Sequence, residues 1–282
     1  MNFFEQIFLC ETDEEVDKLI ASRIDELNNR EDKPGTLGFQ NGFDTNVVFS
    51  GFIPLDTRIR YSKFNVSSYS MKSTEFIYDF IHLLRKYNIK TKGAAARYLE
   101  VYINSYFGLY GPSNNQDRDY IFDTIAFNST KTDDEYFEAL ENNKISDLKG
   151  TRSAECTERS ALAQQVLSVL GIQSYYCMGC VDRSQKQEGH CFNIVKKQNG
   201  YMVIDYSLPV YMYDQEGKFI GYDAFTGNLS NEEFEEFINN KVIKEFDEYK
   251  MIKGKGKEVL DSKRRYVVGT FEMEKDPNGL HL

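Results

Sequence analysis

Hydrophobic positions in the first half of the chain recur mostly at helical spacing, and after residue 171 they turn to strand-like alternation. Thr12 to Glu15 reads as a capping box, and Val16, Leu19, Ile20, Ile24 and Leu27 then share one face, which predicts a helix over 12–30. A stronger amphipathic pattern follows over 73–88, with Phe76, Ile77, Phe80, Ile81, Leu84 and Tyr87 on the inward stripe. A third helix is expected over 94–107, ended by the glycine- and asparagine-rich run from Gly108 to Asn115. Thr132 to Glu135 caps a further helix that runs to about Leu140. Between the first two helices, from Pro34 to Tyr69, the signal is glycines and short β-type runs, clearest at 46–50 and 58–61. This divides the chain into an extension, residues 1–69, and a main domain, residues 70–282. The pattern leaves open whether 34–69 is a small unit of its own or an arm laid on the main domain.

The next helix opens at a cysteine. Ser153 is placed as its N-cap, which puts Cys156 in the first turn, and Ala161, Leu162, Val166, Val169 and Leu170 repeat at helical spacing until Gly171 stops it. Strands are then expected at 174–181, 190–195 and 201–205, separated by the polar stretch 182–189 and a turn over 196–200. Ser230 to Glu233 is another capping box, with Leu229 and Phe234 placed as a hydrophobic staple, and it predicts a helix to about Phe246. A basic turn from Lys253 to Lys257 and a last strand from Arg265 to Phe271 complete the pattern.

Charge and composition narrow the partners. With 34 basic and 44 acidic residues the formal charge is −10, which argues against nucleic acid or an anionic membrane as the main partner. No uninterrupted apolar run is long enough for a membrane span. Five cysteines, an odd number without framework spacing, point to reduced thiols. With an N-terminus that lacks a basic leader, this gives the expectation of a cytoplasmic protein.

Cys156 has two readings. At a helix N-terminus the free backbone N–H groups and the dipole favour a thiolate, yet a free cysteine is also an ordinary small core residue. A nucleophilic thiol needs a base, and the base needs an orienting group. The chain has three histidines. His82 falls off the apolar stripe of its helix and reads as a surface residue, and His281 is next to last, leaving His190 at the start of its strand. Asp205 closes the next strand within an apolar run, where a carboxylate needs a partner or an Asx-turn. If residues 196–199 form the loop, Val195 pairs with Gly200 and His190 sits directly opposite Asp205. A tight Asn199–Gly200 hairpin would instead separate the two. A zinc site is the competing use of Cys177, Cys180, His190 and Cys191, with Cys156 nearby. In a regular strand, however, positions 177 and 180 point to opposite faces.

These residues resemble the transglutaminase-like branch of the papain-like cysteine enzymes. The resemblance rests on Cys156 ahead of the helix Ala161–Leu167, on Leu170, Gly171 and Ile172, on the run Gly189 to Asn193, and on Val203 to Asp205; it spans about residues 150–210. It implies Cys156 as nucleophile, His190 as general base and acid, and Asp205 as orienting carboxylate. It also implies an α+β fold in which the cysteine helix packs on an antiparallel sheet, with further helices and an N-terminal extension. The expected chemistry is attack on an amide or other acyl carbonyl through a thioester: peptidase, deamidase or acyl transfer. The partners would be a peptide or protein amide and, for transfer, an amine acceptor, with no metal or organic cofactor. The family often carries an aromatic residue, commonly Trp, around the site, and this chain has no Trp. No glutamine lies a few residues before Cys156, so the Cys156 backbone N–H is one oxyanion donor and the second is unidentified. The alternative from another class is a catalytically inactive fold of this type that binds peptides.

Overall fold

A computed structural model of the chain describes residues 1–30, 37–38, 48–53, 58–60, 68–70, 73–107, 156–183, 186–240 and 242–269. The expected helix from Thr132 to Leu140, the N-cap at Ser153 and His281 lie outside these residues. The described chain is α+β, six helices and a large mixed sheet.

Helices form where the pattern placed them. After a short α1 (Phe3–Gln6), α2 (Asp13–Asn28) starts at Thr12, whose side chain accepts from the Glu15 N–H while Glu15 reaches back, closing the capping box. Val16, Ile20, Ile24 and Leu27 are its buried face. In α3 (Thr74–Lys86) Phe76, Ile77, Phe80, Ile81 and Leu84 are buried, but Tyr87 is 56% exposed because the helix ends before it. Next comes α4 (Lys92–Phe107), and then α5 (Cys156–Val169), which ends at Gly171 with φ 65°, a left-handed stop that glycine adopts without steric cost. Helix α5 is buried on nearly every side. Thr157, Glu158, Arg159, Ser160, Gln164 and Gln165 are as enclosed as Leu162 and Val166, so every one of its polar side chains near the core has to be satisfied internally.

The strands are β1 (Leu37–Gly38), β2 (Val48–Ser50), β3 (Arg58–Arg60), β4 (Ser68–Ser70), β5 (Ser174–Arg183), β6 (Lys186–Lys196), β7 (Tyr201–Tyr213), β8 (Phe219–Leu229), β9 (Lys244–Ile252) and β10 (Gly256–Val268), with α6 (Asn231–Asn239) between β8 and β9. Strands β1, β3 and β4 form a small sheet. The large sheet runs β10-β9-β7-β6-β5-β2, with β8 on β7. It curls until β10 also pairs with β5, closing a ring of strands. All its pairings are antiparallel except one: the far end of β7 meets β9 in parallel, Met212 against Met251. Through β2 the extension adds a strand to the edge of β5. Buried residues form two apolar groups. One gathers α1 to α5 on one face of β5 and β6, with Cys191 and Tyr176. The other, with Phe192, Phe225 and Tyr266, lies on the opposite face.

Three expectations need correction. Residues 182–189 are not a long loop, since β5 runs to Arg183 and β6 starts at Lys186. The helix begun at Ser230 keeps its capping box but ends at Asn239 rather than Phe246. The poor helix formers Asn239 and Asn240 stop it, and β-branched Val242 and Ile243 lead into β9. The last strand begins at Gly256, well before Arg265, and β8 carried no clear signal because its exposed and buried positions do not alternate cleanly.

Closure of the ring needs a bare backbone at Gly179, which pairs with His190 on one side and Val268 on the other. A Cβ there would lie 1.9 Å from the Val267 carbonyl oxygen. Gly179→Ala is therefore expected to lower stability by roughly 3 kcal/mol, since the clash is with backbone that cannot swing aside. Chemical denaturation of the variant against the parent protein measures it.

Candidate active site

Cys156 is the first residue of α5, half-buried, at the end of the helix where backbone N–H groups have no partner within the helix. His190 and Cys191 come from β6, and Asp205 from β7. The β6–β7 register sets the geometry. Lys196 pairs with Tyr201 and Asn193 with Ile204, so the turn is the four residues Lys197–Gly200, one residue later than expected from the sequence. Gly200 holds it with φ 93° and with no room for a Cβ beside the Leu229 carbonyl. His190 is therefore diagonal to Asp205 rather than directly opposite. The offset is two residues, which keeps both on one face and within reach of long side chains. The imidazole Nε2 bonds Asp205 Oδ2 at 2.8 Å. On its other side the ring lies close enough to the Cys156 thiol for each to shift the other's proton affinity, and Cys191 acts on that thiol as well. With Nε2 engaged by the carboxylate, Nδ1 is the nitrogen left to meet the sulfur.

Asp205 has no solvent exposure, and its two oxygens divide the work. Oδ1 accepts the backbone N–H groups of Ser207 (2.9 Å) and Leu208 (3.0 Å), the Asx-turn that was the simpler reading of this residue. Oδ2 accepts from His190 and from the Tyr266 hydroxyl at 2.7 Å. Both sequence readings of Asp205 thus hold at once. Burial alone would push its carboxyl up, but His190, the Arg264 guanidinium and the Tyr266 hydroxyl together hold it well below the usual carboxylate range. In His190 burial favours the neutral ring, and the Asp205 charge and hydrogen bond, with the Cys156 sulfur, overcome it and push the pKa up to about 10. For Cys156 the hydrogen bond with Cys191 and burial raise the thiol well above its ordinary value, against the pull of His190.

Cys191 was placed among possible zinc ligands. Its Sγ lies 3.5 Å from Thr157 Oγ1 and 3.3 Å from the Tyr176 hydroxyl, and its carbonyl accepts from Ser160 Oγ at 2.9 Å, which seats the start of α5 on β6. Cys177 sits in the opposite apolar group with Phe192, so it and Cys191 face away from each other across the sheet. Among the described residues no group of three His, Cys, Asp or Glu is arranged to hold a metal. No described helix is long and apolar enough to cross a membrane. The glutamines of α5 serve the fold. Gln164 Nε2 donates to the Gly51 and Ser174 carbonyls, and Gln165 Nε2 to that of Ile53.

His82 proves less solvated than expected: its Nε2 bonds Asp17 Oδ1 at 2.7 Å, tying α3 to α2. It borders a cavity of about 780 Å³ lined also by Arg85, Lys86 and Lys90, which shares no residue with the cysteine site. The charged groups there are partly spent on one another, Arg85 on Asp13 and on the Cys10 carbonyl.

The residues the sequence did not single out are Tyr266, Arg264 and Glu100. The first two come from β10, 61 and 59 positions beyond Asp205, and only the strand pairing brings them in. Glu100 on α4 is fully buried behind the site. Its Oε1 accepts from Asn104 at 2.5 Å, and Asn104 in turn accepts from Arg159, one turn beyond Cys156, at 2.8 Å. Its Oε2 finds no hydrogen-bond partner among the described residues.

Compared with known proteins, the chain matches no family model, and no curated protein aligns with it significantly.

Burial, reinforced by the Asp223 charge and opposed by Arg159 and Asn104, raises the Glu100 pKa to about 8. A raised carboxyl makes the fold bind a proton that the unfolded chain releases, so stability falls as pH climbs from about 4.5 to about 8. His190 has the same sign between about 6.5 and about 10. The lowered Asp205 instead loses its contribution only as pH falls below the ordinary carboxylate range. Denaturation at pH 5 and pH 8.5 is expected to show lower stability at the higher pH. Glu100→Gln is expected to reduce that difference by on the order of 1–3 kcal/mol.

Proposed function

We propose that the protein is a cysteine-nucleophile enzyme of transglutaminase-like type, acting on amide or other acyl carbonyls through Cys156, His190 and Asp205. The observation that carries the reading is one imidazole bonded to a buried carboxylate at 2.8 Å and near enough to a thiol at the start of a helix to lower that thiol's proton affinity. The papain/transglutaminase-like core, beyond the α+β sheet and helices described above, belongs to the same proposal.

Transfer of the thiol proton to the imidazole gives a thiolate beside an imidazolium, the attacking state. The sulfur adds to the carbonyl carbon, and the negative oxygen forms next to the N–H groups at the start of α5, that of Cys156 first. The imidazolium gives its proton to the amide nitrogen as the C–N bond breaks, leaving a thioester and a neutral ring. That ring then takes a proton from water, giving hydrolysis or deamidation, or from an amine, giving acyl transfer. The C–S bond breaks and the thiolate returns. Asp205 keeps its charge throughout and fixes which ring nitrogen faces the sulfur.

Because Cys191 and burial raise the Cys156 thiol, its reactivity is expected to climb as pH rises above neutrality. Iodoacetamide labelling with peptide mapping, followed as pH rises, should find Cys156 several-fold slower in His190→Ala than in the parent protein. Cys156→Ala is expected to abolish acyl-enzyme formation with an electrophilic peptide amide. Indifference of Cys156 to the His190 substitution would favour an inactive peptide-binding fold.

A further inference from the structure

Behind the cysteine site runs a chain of polar groups, all charged or hydrogen-bonded and almost without solvent. Glu248 on β9 takes Arg264 in a two-point contact, Nε to Oε2 at 2.7 Å and Nη2 to Oε1 at 2.5 Å. The guanidinium is fully buried and lies over the Phe225 ring, 3.9 Å from its centroid. Its remaining nitrogen, Nη1, donates to the Leu208 carbonyl at 2.5 Å and to the Tyr266 hydroxyl at 3.4 Å. The Tyr266 hydroxyl in turn donates to Asp205 Oδ2 at 2.7 Å.

The direction of these bonds is not free. A guanidinium only donates, so the tyrosine oxygen accepts from Arg264 and its own hydrogen must go to the one acceptor left, Asp205. Oδ2 therefore receives two hydrogens, from Tyr266 and from His190 Nε2, and Oδ1 two more from the backbone of Ser207 and Leu208. Four donors surround a carboxylate that has about four lone-pair positions. It can neither rotate nor turn away from the imidazole. The ring of Tyr266 is packed against Phe192 and Phe225, which fixes the hydroxyl independently of Asp205.

We infer that Tyr266 is a positioning residue of the site: its hydroxyl, oriented by Arg264, holds Asp205 Oδ2 toward His190 and takes a share of the carboxylate's charge. This rests on the Cys156–His190–Asp205 reading. Arg264 and Glu248 act one step further out, by fixing the hydroxyl rather than touching the triad. A purely structural tyrosine would fill the same apolar space without any influence on the imidazole.

The consequence is specific. Without the hydroxyl, the carboxylate's charge falls more heavily on His190, which then holds its proton more tightly. Tyr266→Phe keeps the ring and removes only the oxygen. With three histidines in the chain, the His190 imidazole can be followed by nitrogen NMR and assigned by its loss in His190→Ala. In Tyr266→Phe its proton affinity is expected to rise about three- to tenfold, with the thermal transition still cooperative. Cys156 labelling by iodoacetamide is measured in the same samples. In the unmutated protein, a hydroxyl proton protected from exchange is expected to show a nuclear Overhauser contact to the His190 Nε2 proton, a readout that does not depend on the variant folding. An unmoved His190 titration, or the absence of that contact, overturns the proposal even where labelling remains dependent on His190. Labelling of Cys156 that ignores His190→Ala overturns the cysteine-enzyme reading itself, and the role of Tyr266 with it.

Discussion

A carboxylate with no access to water is the constraint to which the rest of this structure answers. Moving such a charge out of water costs several kcal/mol even after relaxation, and leaving it unpaired inside would neutralise it. Asp205 stays charged because two backbone N–H groups, a hydroxyl and an imidazole converge on it from β7 itself, β10 and β6. Each donor demands something of the fold. The backbone pair requires the irregular stretch between Asp205 and Val210, where the β7–β8 register shifts. The hydroxyl requires β10 to return to β5, and that return requires Gly179. The imidazole requires a four-residue turn between β6 and β7 with glycine at its last position. The closed ring of strands and the satisfied carboxylate are therefore one solution to one electrostatic problem.

How much of this was legible in the sequence follows the range of the interactions. Capping boxes at Thr12 and Ser230 act over three residues and were visible as written, as was the glycine that stops α5. The pairing of His190 with Asp205 depends on one short turn, and sequence pattern limits such a turn to a few registers. The pattern chose the right face and missed by two residues, an error that parity forgives because alternate residues share a face. By contrast Tyr266 and Arg264 meet the site through a strand pairing that spans most of the second half of the chain. Nothing local marks an arginine as destined for full burial. The end of α6 was misread because a capping signal fixes where a helix starts and says nothing of its length. Residues 239–243 decided that, through two asparagines and two β-branched side chains.

The buried polar face of α5 explains a second departure from simple pattern reading. An amphipathic helix shows its polar side to water, but here Thr157, Ser160 and Gln164 face protein, and each bonds a backbone or sulfur group on β5, β6 or the β2 segment. Arg159 and Glu158 are likewise enclosed. Such contacts fix the helix along its axis and in rotation, which apolar packing does loosely, because hydrogen bonds are directional and an unmade one is expensive. A thiol that must meet an imidazole within hydrogen-bond reach needs that registration more than it needs extra stability.

Two sulfurs at one helix terminus complete the electrostatic picture. The dipole and N–H groups at the start of α5 favour one negative charge there, and a second thiol alongside competes for it. Cys191, anchored by Thr157 and Tyr176, acts on Cys156 and raises that thiol, while Asp205 on the far side raises His190. The two influences act on different members of the pair and in the same sense, toward retaining protons. Four bonds fix Asp205 whatever the protonation state of the ring. In the proposed reaction, proton exchange is thus confined to the sulfur and the imidazole, which make fewer bonds than Asp205 among the described residues.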